Sequence, residues 1–179
     1  MKVINFFAGP GAGKSTTAAG LFFLMKTAGY RVELVTEYAK DLTYERSLGV
    51  MQNQLALLGE QDRRLQRLVG TVDVAITDSP LLMGLVYAKD RYTAPWFRTA
   101  VEGAFDSYDN FNVFVHAVKP YQPWGRRQSE ESARALDGPI LELLAGRPRT
   151  RVSGNEDAPQ ILFDLLKSKL KEPILWQPT

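Results

Sequence analysis

The chain alternates between short, nearly unbroken apolar runs and longer stretches in which apolar residues return every three or four positions. The runs at Val3 to Phe7, Arg31 to Thr36, Val72 to Thr77 and Asn112 to Val118 predict strands covered on both faces, and Arg149 to Ser153 predicts a weaker fifth. Helical spacing predicts a helix over Ser15 to Ala28, stopped by Gly29, and one long helix over Tyr44 to Val69, stopped by Gly70. Further helical segments fall near 80–89, near 94–106 and over Ser129 to Ala145, the last interrupted at Gly138-Pro139. A closing helix runs over Asp157 to Leu170, with Asp157 as N-cap ahead of Pro159. Strands that alternate with helices in this way predict an α/β fold: a five-stranded parallel sheet with helices on both faces. In such sheets ligands sit beyond the carboxyl ends of the strands, so the residues just after each strand are where chemistry is expected.

The sequence has 179 residues, enough for one domain over 1–179. Hydrophobic residues make up 45% and charged ones 23%, the balance of a globular domain that keeps water-exposed surface. There is no cysteine, which excludes disulfides and thiolate metal sites. No apolar run approaches the ~20 residues of a membrane span, and Met1-Lys2 leads straight into a strand pattern rather than a signal peptide. The expected location is therefore the cytoplasm, without a membrane partner. A net charge of +2 permits an anionic partner without requiring one.

Between the first strand and the first helix stands "AGPGAGKST", residues 8–16. It follows the pattern G-x-x-x-x-G-K-[ST], with Ala8 in the first glycine's place. Gly9, Gly11 and Gly13, spaced by Pro10 and Ala12, let the backbone turn sharply and aim its N–H groups inward at phosphates. Lys14 is expected to bridge the outer phosphates of ATP, Ser15 to coordinate Mg²⁺, and Thr16 to contact the inner phosphate. The alternative is an incidental glycine-rich turn, which would need neither the lysine nor the hydroxyls.

Two carboxylates close strands. Asp78, in "VAITDSP", is expected to hold Mg²⁺ or act in catalysis; the alternative is a helix N-cap, a role Ser79 fills equally well. Glu37, in "VTEYAK", is expected to orient an acceptor hydroxyl or take its proton; the alternative is a surface charge paired with Lys40. Tyr38 is set beside it to stack on a base or simply to pack. The loop "KPYQPWGRRQ" carries Arg126 and Arg127, which are expected to close over the triphosphate as part of a mobile lid spanning about residues 119–145. Tyr121 and Trp124 either clamp a base or pack that loop. Arg91 is a candidate for the acceptor's phosphate, and Gly154-Asn155 for the border of the adenine. Arg63, Arg64 and Arg67 read as the wet face of the long helix. Arg147, Arg149 and Arg151 alternate, and read as solvated charge or as a row that follows a nucleic-acid backbone. His116 reads as core or strand-end packing, and Trp96 and Phe97 as core.

"AGPGAGKST", "TEYAKDLTYE", "ITDSPLLMGLVYA" and "VKPYQPWGRRQSEESARALD" together resemble the small P-loop kinases of bacteriophages, relatives of ribosylnicotinamide kinase and, more distantly, of deoxynucleoside and thymidylate kinases. The resemblance covers roughly residues 1–155. It implies ATP and Mg²⁺ at Gly13, Lys14, Ser15 and Thr16, catalytic or metal carboxylates at Glu37 and Asp78, and a lid at Arg126 and Arg127. His116 departs from it, standing where related kinases often have arginine. One branch looks like the kinases that phosphorylate 5-hydroxymethyl-deoxyuridine within phage DNA on the way to hypermodified thymidines. The acceptor so implied is modified DNA. Free nucleosides or nucleoside monophosphates are the second reading, and an NTP-hydrolysing switch without kinase activity is the third.

Overall fold

A computed structural model describes residues 1–122 and 129–170. Five strands, β1 (Lys2–Phe7), β2 (Val32–Val35), β3 (Val74–Thr77), β4 (Asp109–His116) and β5 (Arg149–Ser153), form one sheet in the order β2-β3-β1-β4-β5. Every neighbouring pair is parallel. Each connection therefore has to cross back over the sheet, and helices do this on both faces. They are α1 (Lys14–Thr27), α2 (Tyr38–Tyr44), α3 (Leu48–Met51), α4 (Gln54–Gln66), α5 (Met83–Val86), α6 (Pro95–Asp106), α7 (Glu130–Arg134), α8 (Asp137–Leu143) and α9 (Ala158–Lys167).

Side chains alternate across the sheet, so β1 feeds two cores. Ile4 and Phe6 face α1 and α9 and meet Ala18, Leu21, Met25, Leu162 and Leu166. Val3 and Phe7 face the other way, toward Leu65 on α4, Phe97, Val101 and Phe105 on α6 and Ile140 on α8. Phe6 and Phe7 are both fully buried, each a contribution of about 1.5–3 kcal/mol. Asn5 interrupts this apolar run yet is 1% exposed. Its Nδ2 donates to Asn110 Oδ1 at 2.8 Å and to Asn112 Oδ1 at 3.3 Å, so the polar group is satisfied inside the sheet.

The single long helix expected over 44–69 is broken into α3 and α4, and α2, which the helical spacing does not predict, ends at Tyr44, where that helix is expected to begin. The apolar period continues through the breaks, but the backbone does not. Arg46 adopts φ 57°, which ends α2, and the Asn53 side chain accepts from Ala56 N to start α4 afresh. The segment expected over 129–145 is likewise split into α7 and α8. The break precedes Gly138-Pro139, and Pro139 sits in the first turn of α8, where its missing N–H leaves no bond unmade. β4 begins three residues earlier than its apolar run, because Asp109 and Asn110 pair with Lys2 and Val3 of β1.

Candidate functional site

β1 ends at Phe7 and α1 starts at Lys14, and the six residues between them form the turn that carries the phosphate-loop motif. Gly11 and Gly13 hold φ 86° and 100°, left-handed values that residues with a Cβ rarely adopt. Gly13 is the N-cap of α1, and the first turn of that helix contains no acidic residue, so its positive end stays available to an anion. The loop is held from behind by the turn after β5. A Cβ on Gly154 would lie 1.9 Å from the Ala12 carbonyl oxygen, so only glycine allows this approach. On the other side, Gly9 N donates to Asp137 Oδ1 at 3.2 Å, fastening the start of α8 to the mouth of the loop. Lys14 is half-buried, with Nζ donating to the carbonyls of Ala8 at 2.8 Å and Gly9 at 3.1 Å.

The two strand-end carboxylates converge next to this loop. Asp78 follows β3 and is 6% exposed. Its Oδ2 accepts a hydrogen bond from Ser15 Oγ, while its Oδ1 is buried and has no partner. It does not cap a helix: α5 begins at Met83 with Leu82 as its N-cap. Glu37 follows β2 and is the N-cap of α2, yet its side chain makes no capping bond and is left for another task. Burial pushes its carboxyl above the ordinary glutamate range, and Asp78 and Asp41 push the same way, while Lys14 and Lys40 pull it down. Ser15, Glu37 and Asp78 line one cavity of about 360 Å³, together with Thr36, Lys40, Asp41 and Tyr44. That volume lies within the range of small-molecule sites. Glu37 also borders a smaller cavity of about 70 Å³ that reaches Tyr38, Gln61, Met83 and Tyr87. Burial first, and then Glu37, push the Tyr87 hydroxyl up to about 12.

The donors at this corner suit magnesium. A serine hydroxyl and a buried carboxylate oxygen without a partner are hard oxygen ligands, and Mg²⁺ takes few of these from protein and the rest from phosphate and water. Among the described residues no group of three or more His, Asp or Glu could cage a metal by itself.

Gln61 and Arg64 on α4 belong to the site although nothing in their sequence positions marked them. Arg64 is not on the wet face. Its side chain is 17% exposed, bonds Asp41 at 2.7 Å, reaches Thr36 O at 3.3 Å and lies 5.0 Å over the Tyr38 ring. Tyr38 is thus covered by an arginine on that face. Gln61, 6% exposed, bonds the backbone on either side of Glu37.

Other expected residues fall elsewhere. Arg91 lines neither cavity; it is exposed, with its guanidinium 5.6 Å over each of the Tyr92 and Trp96 rings. Trp96 is not core but 42% exposed, whereas Phe97 is fully buried. Tyr121 is half-buried beyond β4 and lines neither cavity. Asn155 follows the Gly154 turn behind the phosphate loop; its Nδ2 donates to Asp157 at 3.2 Å and its Oδ1 is buried without a partner. Gly9, Pro10, Gly11, Ala12, Gly13 and Thr16 all lie in the loop or the first turn of α1. His116 is exposed at the end of β4, its ring 4.9 Å from that of Phe114, in keeping with strand-end packing. Arg147 pairs with Asp106 and Arg149 donates to Leu144 O at 3.0 Å, so the alternating arginines form no continuous row open to a backbone. Trp124, Arg126 and Arg127 lie outside the described residues.

A family model described as an AAA domain matches residues 3–157. The chain belongs to that family. The match begins in β1 and runs past β5, so it takes in the phosphate loop, both strand-end carboxylates and the Gly154 turn. Membership and the all-parallel sheet together make this a P-loop NTPase-like fold that binds a nucleotide. No curated protein matches the chain. No helix among the described residues is long and apolar enough to cross a membrane.

Proposed function

We propose that the protein is an ATP-dependent kinase that moves the γ-phosphoryl group to a hydroxyl of a nucleoside-like acceptor. The observation that carries this reading is Glu37: a half-buried carboxylate, unused as a cap, lining the same cavity as Ser15 and Asp78. A plain nucleotide switch has no need for a second strand-end carboxylate facing an open cavity.

In this reading the loop amides, the N-terminus of α1 and Lys14 hold the donor's phosphates. Ser15 and Asp78 would hold Mg²⁺, which supplies charge neutralisation at the phosphates when bound. Glu37 orients the acceptor hydroxyl and receives its proton as the acceptor oxygen bonds to the γ-phosphorus and the bond to the bridging β-γ oxygen breaks. A carboxyl whose affinity for protons is raised by burial is a better base than one in water. Arg126 and Arg127 take the part of charge-neutralising lid groups. The sequence resemblance supports 5-hydroxymethyl-deoxyuridine in DNA as the acceptor, which requires a single strand or an extruded base to reach the cavity.

The test supplies ATP labelled at the γ-phosphate with, separately, DNA containing 5-hydroxymethyluracil, free deoxynucleosides and nucleoside monophosphates. Label in the DNA is the expected result. Label confined to free nucleosides or monophosphates would overturn the DNA acceptor and keep the kinase. ATP hydrolysis with no labelled acceptor would overturn the kinase in favour of a switch.

A further inference from the structure

We propose that Gln61 is a positioning residue for Glu37: its buried carboxamide fixes the turn that aims the Glu37 carboxylate into the larger cavity. The inference rests on the role proposed for Glu37 above.

The geometry is a two-sided clasp. Gln61 Oε1 accepts from Tyr38 N at 3.1 Å, and Gln61 Nε2 donates to Thr36 O at 3.3 Å. One amide therefore holds the chain immediately before and immediately after residue 37. The same Nε2 lies 3.5 Å from Thr77 Oγ1, a hydroxyl that also accepts from Ser79 N at 3.1 Å. Ser79 and Thr77 flank Asp78, so the clasp extends from one carboxylate-bearing turn to the other. Gln61 itself is 6% exposed, which shields these bonds from competition with water.

The turn needs holding because its central side chain is in an unfavourable place. Glu37 has an extended backbone, φ −67° and ψ 117°, and no capping bond fastens its carboxylate. Burial disfavours the charged form, and a loose turn would swing that charge out to water. The residue that prevents this must donate on one side and accept on the other, at fixed spacing and without charge. The Gln61 carboxamide meets this requirement, with its acceptor oxygen and donor nitrogen on one planar, uncharged group. Arg64 reaches the same Thr36 carbonyl at 3.3 Å, but it has no acceptor to offer Tyr38 N.

The experiment compares Gln61→Leu, Gln61→Glu, Glu37→Gln and the Gln61→Leu/Glu37→Gln pair in the full chain. Turnover of MgATP is followed with water in the acceptor's place, and exchange of the Tyr38 amide hydrogen is followed in parallel. Gln61→Leu is expected to lower kcat by about tenfold or more, with KM for MgATP within about twofold, and to accelerate exchange at Tyr38. In the Glu37→Gln background it should lower kcat no further, because its effect passes through Glu37. Gln61→Glu keeps the acceptor for Tyr38 N and should preserve its protection, with kcat between wild type and leucine. Unchanged kcat in Gln61→Leu, additive losses in the pair, or unchanged Tyr38 exchange would overturn the clasp. If the leucine variant does not fold, Gln61→Glu with wild-type kcat and faster Tyr38 exchange would overturn it as well. Glu37→Gln turning over like wild type would instead remove the role given to Glu37, and Tyr38 exchange would still report on the clasp.

Discussion

Ser15 donates its hydroxyl hydrogen to one oxygen of Asp78, and the other oxygen of that carboxylate is buried without any partner. A buried acceptor left unpaired is unfavourable by about 1–3 kcal/mol, and a cation beside Ser15 would relieve it. Asp78→Asn is therefore expected to slow MgATP turnover by about 100-fold and to raise the Mg²⁺ concentration needed for half-maximal rate. Binding of nucleotide without metal should change little. A Mg²⁺ titration of turnover, run beside metal-free nucleotide binding, checks both.

Lys14 folds back on the Ala8 and Gly9 carbonyls, so its ammonium is already at the mouth of the loop. Lys14→Ala should reduce turnover by about 10²–10³-fold while leaving the thermal midpoint within a few degrees, since two surface-accessible bonds to carbonyls are lost and no core is disturbed. Wild-type turnover in this variant would remove the phosphate-loop assignment.

Glu37 gives a pH signature. Its folded-state pKa is raised above the ordinary glutamate value of 4.5, chiefly by burial, so the folded state holds the proton more tightly than the unfolded chain. Stability should fall as pH rises from about 4.5 to the raised folded value, and the penalty persists above that window. Glu37→Gln removes the ionisation, so the variant should gain thermal stability over wild type as pH climbs through the same range. Phosphoryl transfer should run the other way: wild-type kcat rises with pH through the raised value as the base ionises, and the glutamine variant loses this limb along with most of its rate. Melting curves and rate profiles between pH 4 and 8 test the opposed signs.

Gly154 lies against the phosphate loop with no room for a methyl group: its Cβ would sit 1.9 Å from the Ala12 oxygen and 3.2 Å from the His116 oxygen. Both neighbours are backbone, so neither can rotate away. Gly154→Ala should raise Kd for nucleotide by about tenfold or more, and calorimetric titration with ADP measures this.

The asparagine cluster under β1 and β4 should matter for stability and not for turnover. Asn5→Val removes the donor shared by Asn110 and Asn112 and leaves their oxygens short of a partner, a destabilisation of about 1–3 kcal/mol. Denaturant unfolding should show this loss, while KM for MgATP stays that of wild type.

How far the sequence discloses this site depends on how far each residue's partners lie along the chain. The phosphate loop is local: glycines, lysine and hydroxyl stand within one turn, and strand and helix flank it as expected. Glu37 and Asp78 are legible for a different reason. In a parallel sheet the carboxyl ends of strands share one edge, so a carboxylate after a strand is at that edge whatever else happens. Gln61 is illegible because what it bonds is the backbone around Thr36 and Tyr38, on another element, and backbone groups carry no residue-type signal; Arg64 is illegible because its partner Asp41 and the Thr36 carbonyl lie on other elements. On a helical wheel both look like ordinary polar positions. The breaks in the helix expected over 44–69 were hidden by a real regularity. Apolar residues keep their period across Arg46 and Asn53, and only the left-handed residue and the cap show that the axis changes. Trp96, expected inside, stays at the surface under Arg91 because Phe97 beside it takes the buried position.

The central place of β1 in the sheet has a consequence for how the protein comes into being. Register sets Lys2 beside Val74 on one side and beside Asp109 on the other, so β1 waits for partners encoded far downstream. The glycine that braces its loop, Gly154, is later still. During synthesis the motif most recognisable on paper is thus among the last to acquire a shape. An N-terminal fragment containing it would be a disordered tail with no hold on a nucleotide, and folding should be slow by the standard of chains whose contacts are near neighbours.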